Sequence, residues 1–443
     1  MKTSVKYKEI WKIAYPIILG SIVQNIISVT DTAFLGRVGE VELGASAIGG
    51  VFYLTLIMLG LGFSIGSQII VARRFGENNN KQIGAIIEHS HYFLIILALL
   101  LISVMQMAMF PIFSTVLESD EIKAASIEYF SYRIFGLFFA FINFGFMAFY
   151  IGIARTRVIT WTTVFMALNN VFFDYALIFG NFGFPKMGIA GAAVASVIAE
   201  ISASIFYIFF TFKFVDLDFF NLFRFKKFDP GILKRIFIVA FPMMMQNFIS
   251  FTGWFFFFLF VEKMGERPLA ISNIIRSIYV VMLIPIWGFT SATNTLVSFL
   301  IGRDRKQEVI ALIVKVLKLC ILGVIALVFL NMFFPEKVLS IYTNNPVLIK
   351  EALPTLYVVS IAALFLTIGF VFFSGVSGTG MTKVSFVIET GVILLYILIT
   401  YILVNLSFSR IELVWTVEIF YGIIIGVISF LYLKYGNWQN KKI

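Results

Sequence analysis

Asp31, Asn170 and Asp174 are the side chains of this sequence best suited to chemistry, because each interrupts a run of otherwise apolar residues. Asn170 and Asp174 are four apart, which on a helix places both on one face, where an amide can orient a carboxylate or share a cation with it. A carboxylate in apolar surroundings is costly as an anion, and two brought together cost more. Such a pair takes up a proton or grips a cation. A small hard cation such as Na+ wants several oxygens, and Asp31, Asn170, Asp174 and a hydroxyl suit it. The same oxygens serve H+ or Na+. Each aspartate also lies late in its apolar run, where interfacial water would simply solvate it, and that plainer reading stays open.

Other ionisable residues inside or near apolar runs are Arg133, Glu200, Arg276, Glu389 and Glu418. A buried charge needs a partner, so structural pairing or a relay is the expected role, with Arg276 pairing to Glu389 or Glu418. His89 and His91 stand two apart and do not share a helix face, which reads as an interfacial pair and not as metal ligands. Cys320 is the single cysteine, so no internal disulfide or thiol cluster is expected. No phosphate-cradling loop, nucleophile elbow or ligand cluster for a tightly bound metal is present in the sequence. The expectation is a protein that is not an enzyme and uses no cofactor, with Na+ at Asp31, Asn170 and Asp174 as the one candidate metal ion.

The elements that carry these residues follow from composition. The chain has 443 residues, 60% hydrophobic and 13% charged, against roughly 45–50% and about 25% in soluble domains. Its solvent is the lipid bilayer. About twelve apolar runs are long enough to cross a hydrocarbon core of about 30 Å. They fall near 13–35, 47–72, 90–113, 126–152, 158–180, 188–212, 236–261, 271–301, 309–334, 353–377, 384–407 and 413–434. They lack the period-two alternation of barrel strands, so they are helices. The first run is too long for a signal-peptide core and reads as a retained span.

The formal charge of +10 is best read by position. Lys2, Lys6, Lys8 and Lys12 precede the first span, Arg73, Arg74 and Lys81 follow the second, and Arg155 and Arg157 follow the fourth. Arg224, Lys226, Lys227, Lys234 and Arg235 separate the sixth and seventh, Arg303, Arg305 and Lys306 follow the eighth, Lys383 follows the tenth, and Lys441 and Lys442 close the chain. The alternate loops are poorer in positive charge, which puts both termini in the cytoplasm. No basic face for nucleic acid emerges. The expected partners are small-molecule substrates and the bilayer, for a monomer in the inner membrane.

One strongly polar connector, around 213–235, divides the spans six and six. The division expected is a six-helix bundle over 1–215, a cytoplasmic linker over 216–235 and a second bundle over 236–443. At one fixed offset the halves match: Ala14-Tyr15-Pro16 with Ala240-Phe241-Pro242, Gly39-Glu40 with Gly265-Glu266, Leu43 with Leu269, Gly76 with Gly302, Gly152 with Gly378 and Thr156 with Thr382. An even number of spans per half makes the halves run the same way, related by an axis along the membrane normal, as in transporters that place substrate between two halves. Scaffold residues repeat but charges do not. Asp31 has Phe257 as its counterpart, and Asp174 has Thr400. Pro16 lies about 22 Å before Asp31 along a helix and permits a bend there, while Pro242 repeats it and argues equally for a shared packing kink. Gly60, Gly62, Gly66 and the run Gly188, Gly191, Ala192, Ala193 allow close helix approach. Most of the 53 phenylalanines face lipid, and a few rings can line a cavity for apolar cations.

The pattern Pro16, then Asp31-Thr32-Ala33-Phe34-Leu35-Gly36-Arg37 and Gly39, then Gly76, Asn170, Asp174, Ile178-Phe179-Gly180 and Gly188-Ile189-Ala190-Gly191-Ala192-Ala193 with Ser196 resembles the multidrug and toxic compound extrusion (MATE) family. The resemblance covers nearly the whole chain. It implies an all-α integral membrane protein of 12 transmembrane helices in two pseudo-symmetric six-helix bundles. It further implies an antiporter that exports drug-like organic cations or amphipathic compounds by alternating access against H+ or Na+. In the norfloxacin-efflux branch a carboxylate is expected in the seventh span, where this chain has Ser250, so a second-half site is not expected. The branch named for the DNA-damage-inducible F protein keeps its cation site in the first half. Its pattern falls on Asp31, Asn170, Asp174 and, with serine for threonine, Ser196. That branch also implies a bending role for Pro16. The rival readings are a lipid-linked oligosaccharide flippase of the same superfamily, for which Arg276 is the cationic candidate, and an intramembrane enzyme or receptor.

Overall fold

The computed structural model describes residues 5–225, 228–406 and 410–439; Lys2, Lys226, Lys227, Lys441 and Lys442 lie outside the described residues. Among the described residues the chain is helical throughout, with no strand. In bilayer the backbone must satisfy its own hydrogen bonds, and the long apolar runs do so as helices.

The first half forms α1 (Tyr7–Leu35), α2 (Glu40–Gly76), α3 (Lys81–Val116), α4 (Asp120–Arg133), α5 (Gly136–Gly152), α6 (Arg157–Phe179) and α7 (Gly188–Phe214). A short α8 (Leu217–Phe220) follows in the connector. The second half forms α9 (Pro230–Glu262), α10 (Glu266–Gly302), α11 (Val309–Phe333), the short α12 (Pro335–Ser340), α13 (Pro346–Gly378), α14 (Thr382–Val404), the short α15 (Ile411–Trp415) and α16 (Val417–Tyr435). Among the described residues, eleven helical segments are individually long and apolar enough to span a membrane. The twelfth is the pair α4 and α5, bent by 46° at Ile134–Phe135. The internal repeat is visible in element lengths. α2 and α10 each have 37 residues, and α6 and α14 each have 23.

Two compact units organise the chain. One runs from Leu19 to Met244, and the other joins the residues up to Ile18 with Met245 to Ile443. The division therefore falls inside α1, just after Pro16, and inside α9, just after Pro242. Both prolines lie within continuous helices.

Local chemistry sets the helix ends. Ser119 accepts a bond from the Ile122 N–H to cap α4, and Asn345 caps α13 through Val347 and Leu348, with Pro346 in the first turn. α6 stops at Gly180, whose φ of 76° is left-handed and whose added Cβ would meet the Lys186 backbone at 3.1 Å. α7 then packs on α6. The approach is close because Gly191 has no side chain: a Cβ there would lie 2.7–3.0 Å from the Leu177 and Ile178 backbone. In the same unit the connector is tied to α3. Glu88 accepts from the Arg224 N–H at 2.7 Å, and His89 Nε2 accepts from the Asp229 N–H at 2.9 Å. His91 is half-buried and lies against Gly145, where a Cβ would lie 2.5 Å from its ring. Neither histidine belongs to a metal-ligand cluster among the described residues.

Candidate functional site

The unit from Leu19 to Met244 brings Asp31, Asn170 and Asp174 together. Packing aims them. Phe34, one turn after Asp31, meets Phe179 edge-on at 5.7 Å and Tyr175 at 6.4 Å, which holds the end of α1 against α6. Leu35, Ala45, Tyr129, Ile178, Ile189, Ala192 and Ala193 form the apolar core around this end of the unit. Asn170 and Asp174, one turn apart on α6, are both buried, whereas Asp31 is half-buried.

With its amide nitrogen turned toward the acids, Asn170 donates to Asp31 Oδ1 at 2.9 Å and to Asp174 Oδ2 at 3.2 Å. The two carboxyl groups are themselves within hydrogen-bonding reach of each other. Asp174 Oδ1 is buried and finds no donor among the described residues. Two full negative charges about 4 Å apart repel by about 4 kcal/mol at an effective dielectric of about 20; the two amide bonds, at about 1.5–3 kcal/mol each to a charged acceptor, do no more than match that, and nothing is left to offset the burial of both charges. The arrangement calls for a proton or a cation between the acids. Ser196, on α7, is half-buried and makes no hydrogen bond to these three residues among the described residues.

Nearby in the same unit, Arg133 and Glu200 form a buried bidentate pair, Nη2 to Oε1 at 2.8 Å and Nη1 to Oε2 at 3.1 Å. Tyr53 donates to the same carboxylate at 2.8 Å, and its ring lies 3.6 Å beneath the Arg133 guanidinium. Gly136 makes room for both charges, since a Cβ there would lie 2.1 Å from Glu200 and 2.3 Å from Arg133. Arg133 ends α4 at the bend, so the ion pair ties that bend to α7. Arg133 is also in coulombic range of Asp31, as is the buried Tyr129.

In the other unit the expected partnership of Arg276 with Glu389 or Glu418 does not form. The Arg276 guanidinium instead lies 5.3 Å over the Phe258 ring, a cation–π contact that needs no acid. Glu389 accepts from Ser250 and, at 2.8 Å, from Tyr421. Glu418 accepts from Tyr279 at 2.8 Å and Tyr396 at 2.9 Å. Phe257 and Thr400, the counterparts of Asp31 and Asp174, are fully buried. Reading ionisable residues alone missed these hydroxyls. Their signal was available, because a tyrosine deep in an apolar run needs a partner for its O–H.

Comparison with known proteins shows the family. The MatE family model matches twice, over residues 16–176 and 242–402, so that the matches begin at Pro16 and Pro242, the two prolines paired by the internal repeat. A probable multidrug resistance protein NorM from Thermotoga maritima is 27% identical over 388 residues, 85% of this chain and 80% of the relative. A protein of the same description from Neisseria meningitidis is 22% identical over 77% of this chain and 74% of its own. Among solved structures, an outward-facing multidrug resistance MATE family transporter of the MOP superfamily superposes with a TM-score of 0.90 at 20% identity, covering 98% of this chain and 97% of that one. A MOP superfamily transporter from Pyrococcus furiosus gives a TM-score of 0.89 at 20% identity, covering 97% and 95%.

Proposed function

This chain belongs to the MatE family, and on that premise we propose that it is a multidrug efflux antiporter that exchanges drug-like organic cations or amphipathic compounds for H+ or Na+ held between Asp31 and Asp174. The observation that carries the reading is the pairing of two carboxyl groups around one amide, with Asp174 Oδ1 buried and lacking a donor. A site so short of positive partners gains from each proton or cation that enters and is costly when it leaves, and alternating access needs that difference between two states. Asn170 orients both acids. Ser196 adds a hydroxyl to a bound Na+ and has no part in holding a proton. Pro16 supports a bend in α1 when the charge at Asp31 changes, since the proline gives up one helical hydrogen bond and lies just before α1 passes from one compact unit to the other. The positive charge in alternate loops supports an inner-membrane orientation with both termini cytoplasmic, and the transporter is read as a monomer.

The test is extrusion of a fluorescent dye or norfloxacin from an efflux-deficient host by wild type, Asp31→Asn and Asp174→Asn. Each variant is expected to lose gradient-driven export while keeping its folded yield. If both pump like wild type, the coupling reading fails. Reconstituted vesicles under a pure pH gradient and then a pure Na+ gradient identify the ion.

A further inference from the structure

We propose that His89 is a pH-sensitive latch: its neutral ring fastens the start of α9 to α3, and protonation of the ring frees α9 as far as Pro242. Two partners fix the state of the ring. Nδ1 lies 2.7 Å from the Ala85 carbonyl oxygen, which can only accept, so the ring hydrogen is on Nδ1. Nε2 then presents a lone pair, which accepts from the Asp229 N–H at 2.9 Å, one residue before α9 begins at Pro230. The residue is 2% exposed, and its ring stacks at 5.3 Å on Phe228. An imidazolium in the same place would turn an N–H toward an N–H, so the bond to Asp229 exists only with the neutral ring.

The segment fastened in this way is strained. Asn221, Phe223 and Phe225 have φ of 51°, 53° and 44°, left-handed values that residues with side chains adopt at a cost. Its backbone also runs hard against α3, where a Cβ on Gly84 would lie 2.0 Å from the Asn221 carbonyl oxygen. Asn221 Nδ2 donates to the Lys81 carbonyl at 3.3 Å, and Glu88 Oε1 accepts from the Arg224 and Phe225 N–H groups at 2.7 and 3.3 Å. The His89 bond is the one closest to α9. The charged groups nearby are already engaged. Asp229 Oδ1 accepts from the Gly231 N–H at 2.7 Å, Asp218 of α8 pairs with Arg224, and Arg74 of α2 pairs with Glu77, next to Arg73. From α5, Tyr150 bonds Thr211, and Phe146 meets the His91 ring. α4 meets α3 toward its far end, through Gln106 and Phe113. A protonated His89 has to break one of these arrangements or leave.

The carboxy-terminal unit carries a fixed counterpart. At the offset that pairs Pro16 with Pro242, His89 is paired with Lys315 on α11. Lys315 Nζ donates to the Val5 carbonyl oxygen at 3.1 Å, two residues before α1 begins at Tyr7. Each unit therefore pins the start of a helix that then passes into the other unit, α9 in the amino-terminal unit and α1 in the carboxy-terminal one. Imidazole is the ordinary side chain that changes charge between about pH 5 and 8, so the repeat keeps the fastening and makes one copy of it titratable. Once freed, the start of α9 bends where Pro242 withholds a helical hydrogen bond. With the orientation proposed above, the latch faces the cytoplasm and answers to its acidity; that meaning rests on the orientation, and the latch itself does not.

The test follows hydrogen–deuterium exchange by mass spectrometry in purified full-length protein in lipid nanodiscs, at about pH 8 and about pH 5.5, on either side of the ordinary imidazole titration. Rates are corrected for the intrinsic pH dependence of amide exchange. In wild type, protection over 228–244 is expected to fall about tenfold at the lower pH, the size of effect that one lost hydrogen bond gives, while protection over 5–15 holds. His89→Gln supplies an acceptor that does not titrate and keeps 228–244 protected at both pH values. His89→Phe keeps a ring against Phe228 without an acceptor and leaves the segment open at both. Lys315→Met opens 5–15 alone. Equal wild-type protection at the two pH values overturns the proposal, as does a fall that persists in His89→Gln or vanishes in His91→Gln. If the variants do not fold, nitrogen-15 spectra of the ring nitrogens serve, since wild type has two histidines; two rings that stay neutral at the lower pH overturn the proposal. None of these readouts needs a substrate or a coupling ion, so failure of the latch and failure of the antiport reading are told apart.

Discussion

In the amino-terminal unit two aspartates share one amide, while in the carboxy-terminal unit two glutamates are met by four hydroxyls. One member of each pair sits on a repeated helix of matching length, Asp174 on α6 and Glu389 on α14, each of 23 residues. The scaffold is therefore common to the two and the donors decide the chemistry. Glu200 shows a third solution inside the amino-terminal unit, a carboxylate balanced by a guanidinium and a tyrosine. An acid that is fully paired holds helices together. An acid left short of donors must borrow a proton or an ion, and that need is what a transporter can couple to substrate movement.

The harshest way to break the comparison is to carry a carboxylate across the repeat. Phe257 occupies the position of Asp31 but is fully buried, 4.9 Å from the Trp415 ring and 6.0 Å from Tyr396. Phe257→Asp removes a large ring from that aromatic cluster and leaves an acid with no donor prepared for it. The expected cost exceeds about 4 kcal/mol, read as loss of the monodisperse peak in fluorescence-detected size exclusion. Survival of that peak would mean that the second unit tolerates the chemistry of the first.

Next in size is the balanced acid. Arg133→Leu turns Glu200 into an uncompensated buried charge and unties the α4–α5 bend from α7. The expected loss is about 3–5 kcal/mol, and Arg133→Leu with Glu200→Leu recovers most of it, because a well-packed apolar pair often replaces a buried ion pair without loss. Thermal unfolding of both variants in nanodiscs checks this. If the double variant is no more stable than the single one, the pair contributes more than mutual charge balance.

Much of this arrangement was legible in the sequence for identifiable reasons. The spans announce themselves because bilayer demands unbroken apolar runs, and Asn170 with Asp174 is legible because four residues make one helical turn. Meetings between helices were not legible. Arg133 finds Glu200 across the fold, and Arg276 finds the face of Phe258 where an acid was expected, because an aromatic face also receives a cation. The α4–α5 bend carries no proline to mark it. Its local sign is Gly136, needed for space beside the ion pair. Ser250 was read for the carboxylate it lacks, yet its hydroxyl donates to one on α14.

The finest contrast lies within the carboxy-terminal unit. Tyr279 is the donor to Glu418 Oε2, so Tyr279→Phe bares an oxygen that was paired and leaves one donor, Tyr396, for the whole carboxyl group. Tyr421→Phe removes one of two donors converging on Glu389 Oε1, and Ser250 still serves that atom. A lost bond that leaves a buried group unsatisfied costs about 1–3 kcal/mol, whereas loss of a redundant donor costs about 0.5–1.5 kcal/mol. Tyr279→Phe should therefore lower the unfolding temperature more than Tyr421→Phe, although each deletes a single hydroxyl. Equal losses, or the reverse order, would mean that the two glutamates are satisfied alike and that the distinction between one donor on each oxygen and two donors on one oxygen is wrong.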